Sequence, residues 1–218
     1  RLITGPAYGK VGAARAASPS EWPTFRHDAA RSNHARTTVP GELKRTWRTK
    51  IAGDSHPGST IADKVSQPVV AGGKVFLTAV NQHTVLALDD ASGEVLWRFT
   101  AGGRVDSAPT IHKGTAIFGC NDGWVYCLRA ADGMLVWRFR AAPQDARICA
   151  FEQVESVWPV PGNVLVVDDT AYFVAGRSIF LDDGLRIFCL NAVTGELLSE
   201  TVMNDRDPDG KKIQDYIE

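Results

Sequence analysis

Residues 87–99 read ALDDASGEVLWRF, and forty residues later the chain repeats itself as CLRAADGMLVWRF at 127–139. Leu88, Ala91, Gly93, Trp97, Arg98 and Phe99 recur as Leu128, Ala131, Gly133, Trp137, Arg138 and Phe139. A weaker third copy, CLNAVTGELLSET at 189–201, keeps Gly195 but has Ser199 in the tryptophan position. A fixed period of this length marks a unit that buries its apolar faces against copies of itself, as in a solenoid or a propeller.

The repeated stretch predicts its own local structure. Val85, Leu86, Ala87 and Leu88 are apolar without alternation, the pattern of a strand covered on both faces. Residues 89–94 form a polar turn in which Gly93 supplies the permissive backbone. Val95, Leu96, Trp97 and Phe99 make the next strand. Paired strands that are apolar on both sides need sheets above and below them, and radially stacked four-stranded blades provide these.

Working outward, blade one (66–100) has strands at 67–70, 74–80, 83–89 and 94–100. Blade two (107–140) has strands at 108–112, 115–120, 124–129 and 134–140. Blade three (162–202) has strands at 163–167, 171–175, 185–191 and 196–202. The predicted fold class is all-β, a partial propeller of antiparallel four-stranded blades.

The flanks read differently. Residues 1–21, rich in Gly, Ala, Pro and Ser, read as a linker or the end of a preceding domain. Residues 43–49, LKRTWRT, look like an outer strand without its blade, with Trp47 standing where Trp97 and Trp137 stand. This N-terminal closing strand is expected at an edge, with Trp47 short of contacts. Residues 204–218 read as an acidic loop leading into a further blade.

The period breaks in blade three, where Gly133 and Gly195 are 62 residues apart against 40 for Gly93 and Gly133. The extra length lies at 141–161 and 176–184. Insertions in a rigid scaffold are where function gathers, which makes Glu152, Glu155, Arg177, Asp182 and Asp183 candidate site residues. Solvated loop charge, or cover for a subunit or domain contact, is the plain alternative.

Composition excludes several classes. The 218 residues are 44% hydrophobic with net charge -1, so no nucleic-acid partner is indicated. No apolar run approaches the length of a membrane-spanning helix. The chain begins with Arg1 and lacks an apolar signal core, and it reads as part of a longer protein.

Cys127 and Cys189 fill the slot of Ala87 and are explained by packing. Cys120 sits by a hairpin turn and Cys149 in a loop, with no CxxC and no adjacent pair. The histidines show no ligand spacing. Asp205, Asp207, Asp209 and Gly210 spell the first half of a calcium loop, but Tyr216 stands where its bidentate glutamate belongs. An exposed acidic loop is the reading adopted there.

The pattern A-L-D-x-x-[ST]-G-E-x-x-W resembles the repeat of the pyrroloquinoline quinone (PQQ)-like β-propellers. Trp22-Pro23-Thr24-Phe25-Arg26, with Asp28, Arg31 and Ser32, resembles a lead-in to such propellers. Residues 102–109 and the run FGCNDGWVYCLRAADG are similar to multidomain propeller proteins of planctomycete-type bacteria. The resemblance covers 22–203. It implies that Trp97 and Trp137 pack between blades, that Gly93, Gly133 and Gly195 make tight turns, and that Ser199 weakens its interface.

The resemblance implies two functions, because the superfamily holds both scaffolds and enzymes. The first is a binding or protein-interaction scaffold without a cofactor, joined to a protein partner or to further domains of its own chain, in the periplasm or cell envelope. The alternative is a PQQ- and calcium-dependent dehydrogenase. That enzyme would need calcium held by Glu, Asn and Asp oxygens, an Asp base, and an adjacent-cysteine disulfide. This sequence has no adjacent cysteines. Three repeats fall short of the family's closed rings, so the open ends are expected to self-associate.

Overall fold

The computed structural model describes residues 1–12, 18, 20–51, 64–150 and 152–205. Blade one comprises β2 (Val69–Ala71), β3 (Lys74–Ala79), β4 (Thr84–Asp89) and β5 (Val95–Thr100), hydrogen-bonded in that order. Blade two follows as β6 (Thr110–His112), β7 (Thr115–Gly119), β8 (Trp124–Arg129) and β9 (Leu135–Arg140). Blade three is β12 (Leu165–Val167), β13 (Thr170–Ala175), β14 (Leu185–Asn191) and β15 (Leu197–Met203). The short first strands touch one another, β2 with β6 and β6 with β12, so they form the inner rim of a fan. The arrangement is the all-β partial propeller that the periodicity predicts.

Alternation within the central strands assigns each side chain to one interface. Val85 and Ala87 pack towards blade two, and Tyr126 and Leu128 meet them from the other side. Val125 and Cys127 point towards blade three, where Phe188 and Leu190 receive them. Each such residue, buried to 3% exposure or less, contributes about 1.5–3 kcal/mol if large and apolar. On its remote side, blade one carries Leu86 and Leu88, flanked within the sheet by Val75, Leu77 and Val95 and packed against Ile51 from outside it. Blade three has no such cover among the described residues: Tyr172 and Val174 are 39% and 38% exposed.

One detail repeats in all three blades. The ladder between third and fourth strands is interrupted at Ala87/Leu88, Cys127/Leu128 and Cys189/Leu190. Beside each interruption, Ala87 faces Trp97, Cys127 faces Trp137 and Cys189 faces Ser199. An extra residue in the outer strand (Leu96, Val136 or Leu198) makes the bulge and increases the local twist.

Each tryptophan is lodged in the next blade. Trp97 Nε1 donates to Ala130 O at 3.1 Å and Trp137 Nε1 to Val193 O at 3.2 Å. Trp47 Nε1 donates to Asp90 O at 2.9 Å, and a Cβ on Gly93 would meet its ring at 2.5 Å. Trp47 is therefore half-buried against blade one rather than short of contacts. The segment around it, read as a closing strand, has no strand pairing among the described residues.

The N-terminus also departs from its reading. β1 (Leu2–Thr4), inside the stretch read as a linker, pairs antiparallel with β9 and gives blade two a fifth strand. The Arg1 guanidinium lies 5.1 Å from the ring centres of Phe139 and Phe188 and reaches Glu200 at 2.6 Å. Ala7 is fully buried. The lead-in then lies on the inner rim. Trp22 bridges Val70, Ile111 N donates to Pro23 O, and the Thr24 and Thr110 hydroxyls stand 2.9 Å apart.

Candidate functional site

In an antiparallel blade, the turn between the second and third strands and the connection to the next blade fall at the same end. The two insertions share that end with residues 101–109 and the turn after β7. The first insertion is not a loop. It contains a hairpin, β10 (Arg147–Ala150) and β11 (Gln153–Ser156), so Cys149 is an exposed strand residue. The hairpin arches over blade two: Gln153 Oε1 stands 2.8 Å from His83 Nε2 and Gln153 Nε2 donates to Asn81 O at 3.4 Å, both in blade one. Ser156 N donates to Asn121 O at 2.7 Å.

Glu155 is the centre of this end and is fully buried. Its Oε1 is 3.1 Å from an Arg104 Nη and its Oε2 accepts from Arg177 at 2.9 Å. Asn121, 3% exposed, donates its amide to Glu155 at 3.2 Å and to Asp106 at 3.0 Å. Arg104 also lies 3.0 Å from Asp106, and Arg177 donates to Ser156 O at 3.2 Å. A buried carboxylate is stable only when its charge and lone pairs are met this fully. The network ties the hairpin to the turn of blade two and to the second insertion in blade three.

Of the sequence candidates, Glu155 and Arg177 come together here. The other three do not join them. Glu152 is exposed in the hairpin turn, and Asp182 and Asp183 are exposed in the second insertion, where the Asp182 carbonyl accepts the Trp158 indole N–H at 2.7 Å. Arg104, Asp106 and Asn121 were missed, although each belongs to a connection at the insertion-bearing end. Asp207 and Asp209 lie outside the described residues; Asp205 N donates to Ile179 O. Among the described residues, no three His, Cys, Asp or Glu side chains gather into a metal-binding group.

The donor set around Glu155 does not fit a divalent cation. Both carboxylate oxygens face guanidinium nitrogens, and Asn121 turns its NH2 rather than its oxygen towards them. The two arginine charges are matched by Asp106 and Glu155, leaving no surplus for a polyanionic ligand.

Deep burial raises two neighbouring groups. The Tyr126 hydroxyl, hydrogen-bonded to Asp122, and the Cys120 thiol both ionise well above their ordinary values, desolvation first and the Asp122 charge second. Neither is available as an anion. At the opposite end, a cleft of about 880 Å3 runs between the lead-in and the inner strands, walled by Pro23, Phe76, Ile111, His112 and Val166.

Residues 44–215 match the PQQ-like repeat family described as outer membrane protein assembly factor BamB. The chain belongs to that family. It is 25% identical over 134 residues to the outer membrane protein assembly factor BamB of Yersinia pestis, a match covering 59% of this chain and 30% of the relative. Among solved structures it is similar to quinohemoprotein alcohol dehydrogenase ADHIIG of Pseudomonas putida, with TM-score 0.67 and 18% identity over 85% of this chain and 27% of that one. The quinohemoprotein alcohol dehydrogenase of Comamonas testosteroni gives TM-score 0.63 and 21% identity over 84% and 27%. The chain therefore spans 30% or less of the length of each of these proteins. Both enzymes share its fold at identities that speak for architecture alone. Among the described residues no helix is long and apolar enough to cross a membrane.

Proposed function

We propose that this chain is a protein-interaction scaffold whose docking surface is the end carrying the two insertions. One observation carries the reading. Both insertions are anchored through buried Glu155, yet they present Ile148, Val154, Phe180 and Leu181 at 39–55% exposure. A rigid base under exposed apolar side chains is the build of a preorganised interface, because ordering costs are met before the partner arrives. The partner is another protein or a further domain of the same polypeptide, no cofactor is needed, and an envelope location accords with the named relative.

The test uses Cys149 as a handle in a Cys189→Ser background, since Cys149 is exposed and Cys189 partly so, while Cys120 and Cys127 are buried. A photo-crosslinker on Cys149 of the full polypeptide, activated in cells, should give one discrete protein adduct. Val154→Asp with Leu181→Asp should abolish it. The dehydrogenase reading replaces this one if the purified protein, mixed with PQQ and calcium, retains quinone absorbance through gel filtration and reduces a dye with alcohol.

A further inference from the structure

We propose that the outer strand of blade three, β15, is a self-pairing edge through which two copies of this chain associate. β15 is the last strand of its sheet and has no partner on its outer side among the described residues. Leu197, Leu198, Val202 and Met203 are 42–57% exposed. Neither lysine nor proline, two of the devices that blunt an edge, interrupts it.

Blade two shows what such an edge does. Its outer strand β9, with the same bulge, receives β1 antiparallel, with Ile3 centred opposite Arg138. Cys127 faces Trp137 as Cys189 faces Ser199, so Arg138 corresponds to Glu200. An incoming antiparallel strand should therefore centre on Glu200.

The sequence of β15 states which strand fits. LLSETVM is nearly palindromic in chemistry about Glu200. Pairing two copies antiparallel there sets Ser199 opposite Thr201 of the second copy and Leu198 opposite Val202, while the bulge at Leu198 shifts Leu197 out of register with Met203. Apolar pairs and hydroxyl pairs are the favourable cross-strand combinations. The one like-charge pair, Glu200 with itself, is already neutralised within each copy by Arg1 at 2.6 Å and Arg186 at 2.8 Å. The two four-stranded sheets would merge into one. A twofold pairing closes on itself, so it gives a dimer and not a fibre.

Sedimentation of the 218-residue chain should report twice the 23.6 kDa chain mass at high concentration. Leu198→Lys with Val202→Lys, both at exposed positions, should weaken association at least tenfold without changing the circular dichroism. Leu96→Lys, at the equivalent bulge position of blade one, should leave it unchanged. Register is tested in a Cys149→Ser, Cys189→Ser background. Ser199→Cys combined with Thr201→Cys should form an intermolecular disulfide on oxidation, and either substitution alone should not. A monomer at every soluble concentration overturns the proposal. So does a dimer indifferent to the lysine pair, or efficient crosslinking by either single variant.

Discussion

The Trp97 ring closes on the turn of the following blade so tightly that a Cβ built on Gly133 would stand 2.7 Å from its Cε3 atom. Gly133 also holds φ at 74°, in the left-handed region. Gly133→Ala therefore meets both a steric and a backbone penalty, and it should lower stability by about 2 kcal/mol or more. Urea titration of the variant checks this; an unchanged midpoint would show that the turn relaxes freely.

Trp137 and Trp124 provide a contrast within one sheet. Trp137 is fully buried between blades two and three, while Trp124 is half-buried under the Arg138 guanidinium at 4.5 Å. Trp137→Ala should cost about 3–5 kcal/mol and Trp124→Ala clearly less. Equal shifts in denaturant midpoint would argue against the interface assignment.

Glu155→Ala removes the anion between Arg104 and Arg177. Breaking a buried ion pair from one side typically costs about 3–5 kcal/mol, because the remaining charge is left uncompensated. With both arginines partly exposed, about 2–3 kcal/mol is expected here. The hairpin should loosen first. Limited proteolysis should cut within 145–157 of the variant while the blades stay intact, and cleavage spread evenly over the chain would count against an anchoring role.

Asp28 offers a titration test. Hydrogen bonds from the Ser32 hydroxyl and backbone N–H hold its carboxyl down to about 2, from an ordinary 3.8. A depressed folded value means that its stabilising contribution is complete above pH 3.8 and disappears as pH falls through about 2. Ser32→Ala should return the Asp28 titration, followed by NMR, towards the ordinary value. An unmoved titration would assign the shift elsewhere.

The blades were legible because their determinants are local and periodic. Four apolar residues in a row, a glycine turn and a tryptophan lie within thirteen residues of sequence. β1 was not legible: Leu2, Ile3 and Thr4 form a strand only because the edge of β9 is waiting, and the neighbouring Gly and Pro read as linker. The β10–β11 hairpin was not legible either, because Phe151-Glu152 between its strands lacks the glycine, asparagine or aspartate that marks a two-residue turn. Glu155 and Arg177 stood out through the broken period. Arg104, Asp106 and Asn121 sit in segments that keep the period, and only folding brings them to Glu155.

The lodging of each tryptophan in the blade that follows it gives the chain a direction in time. During synthesis, blade one can seat Trp47 as soon as Gly93 leaves the ribosome. Trp97 then stays bare until Gly133 appears, an interval of a few seconds at about 5–20 residues per second. Each new repeat thus buries a surface left open by the one before it, and the newest blade is always the adhesive one. A chaperone that guards this protein during translation would have a moving target, one bare tryptophan at a time, until it reaches blade three, where Ser199 leaves none to guard.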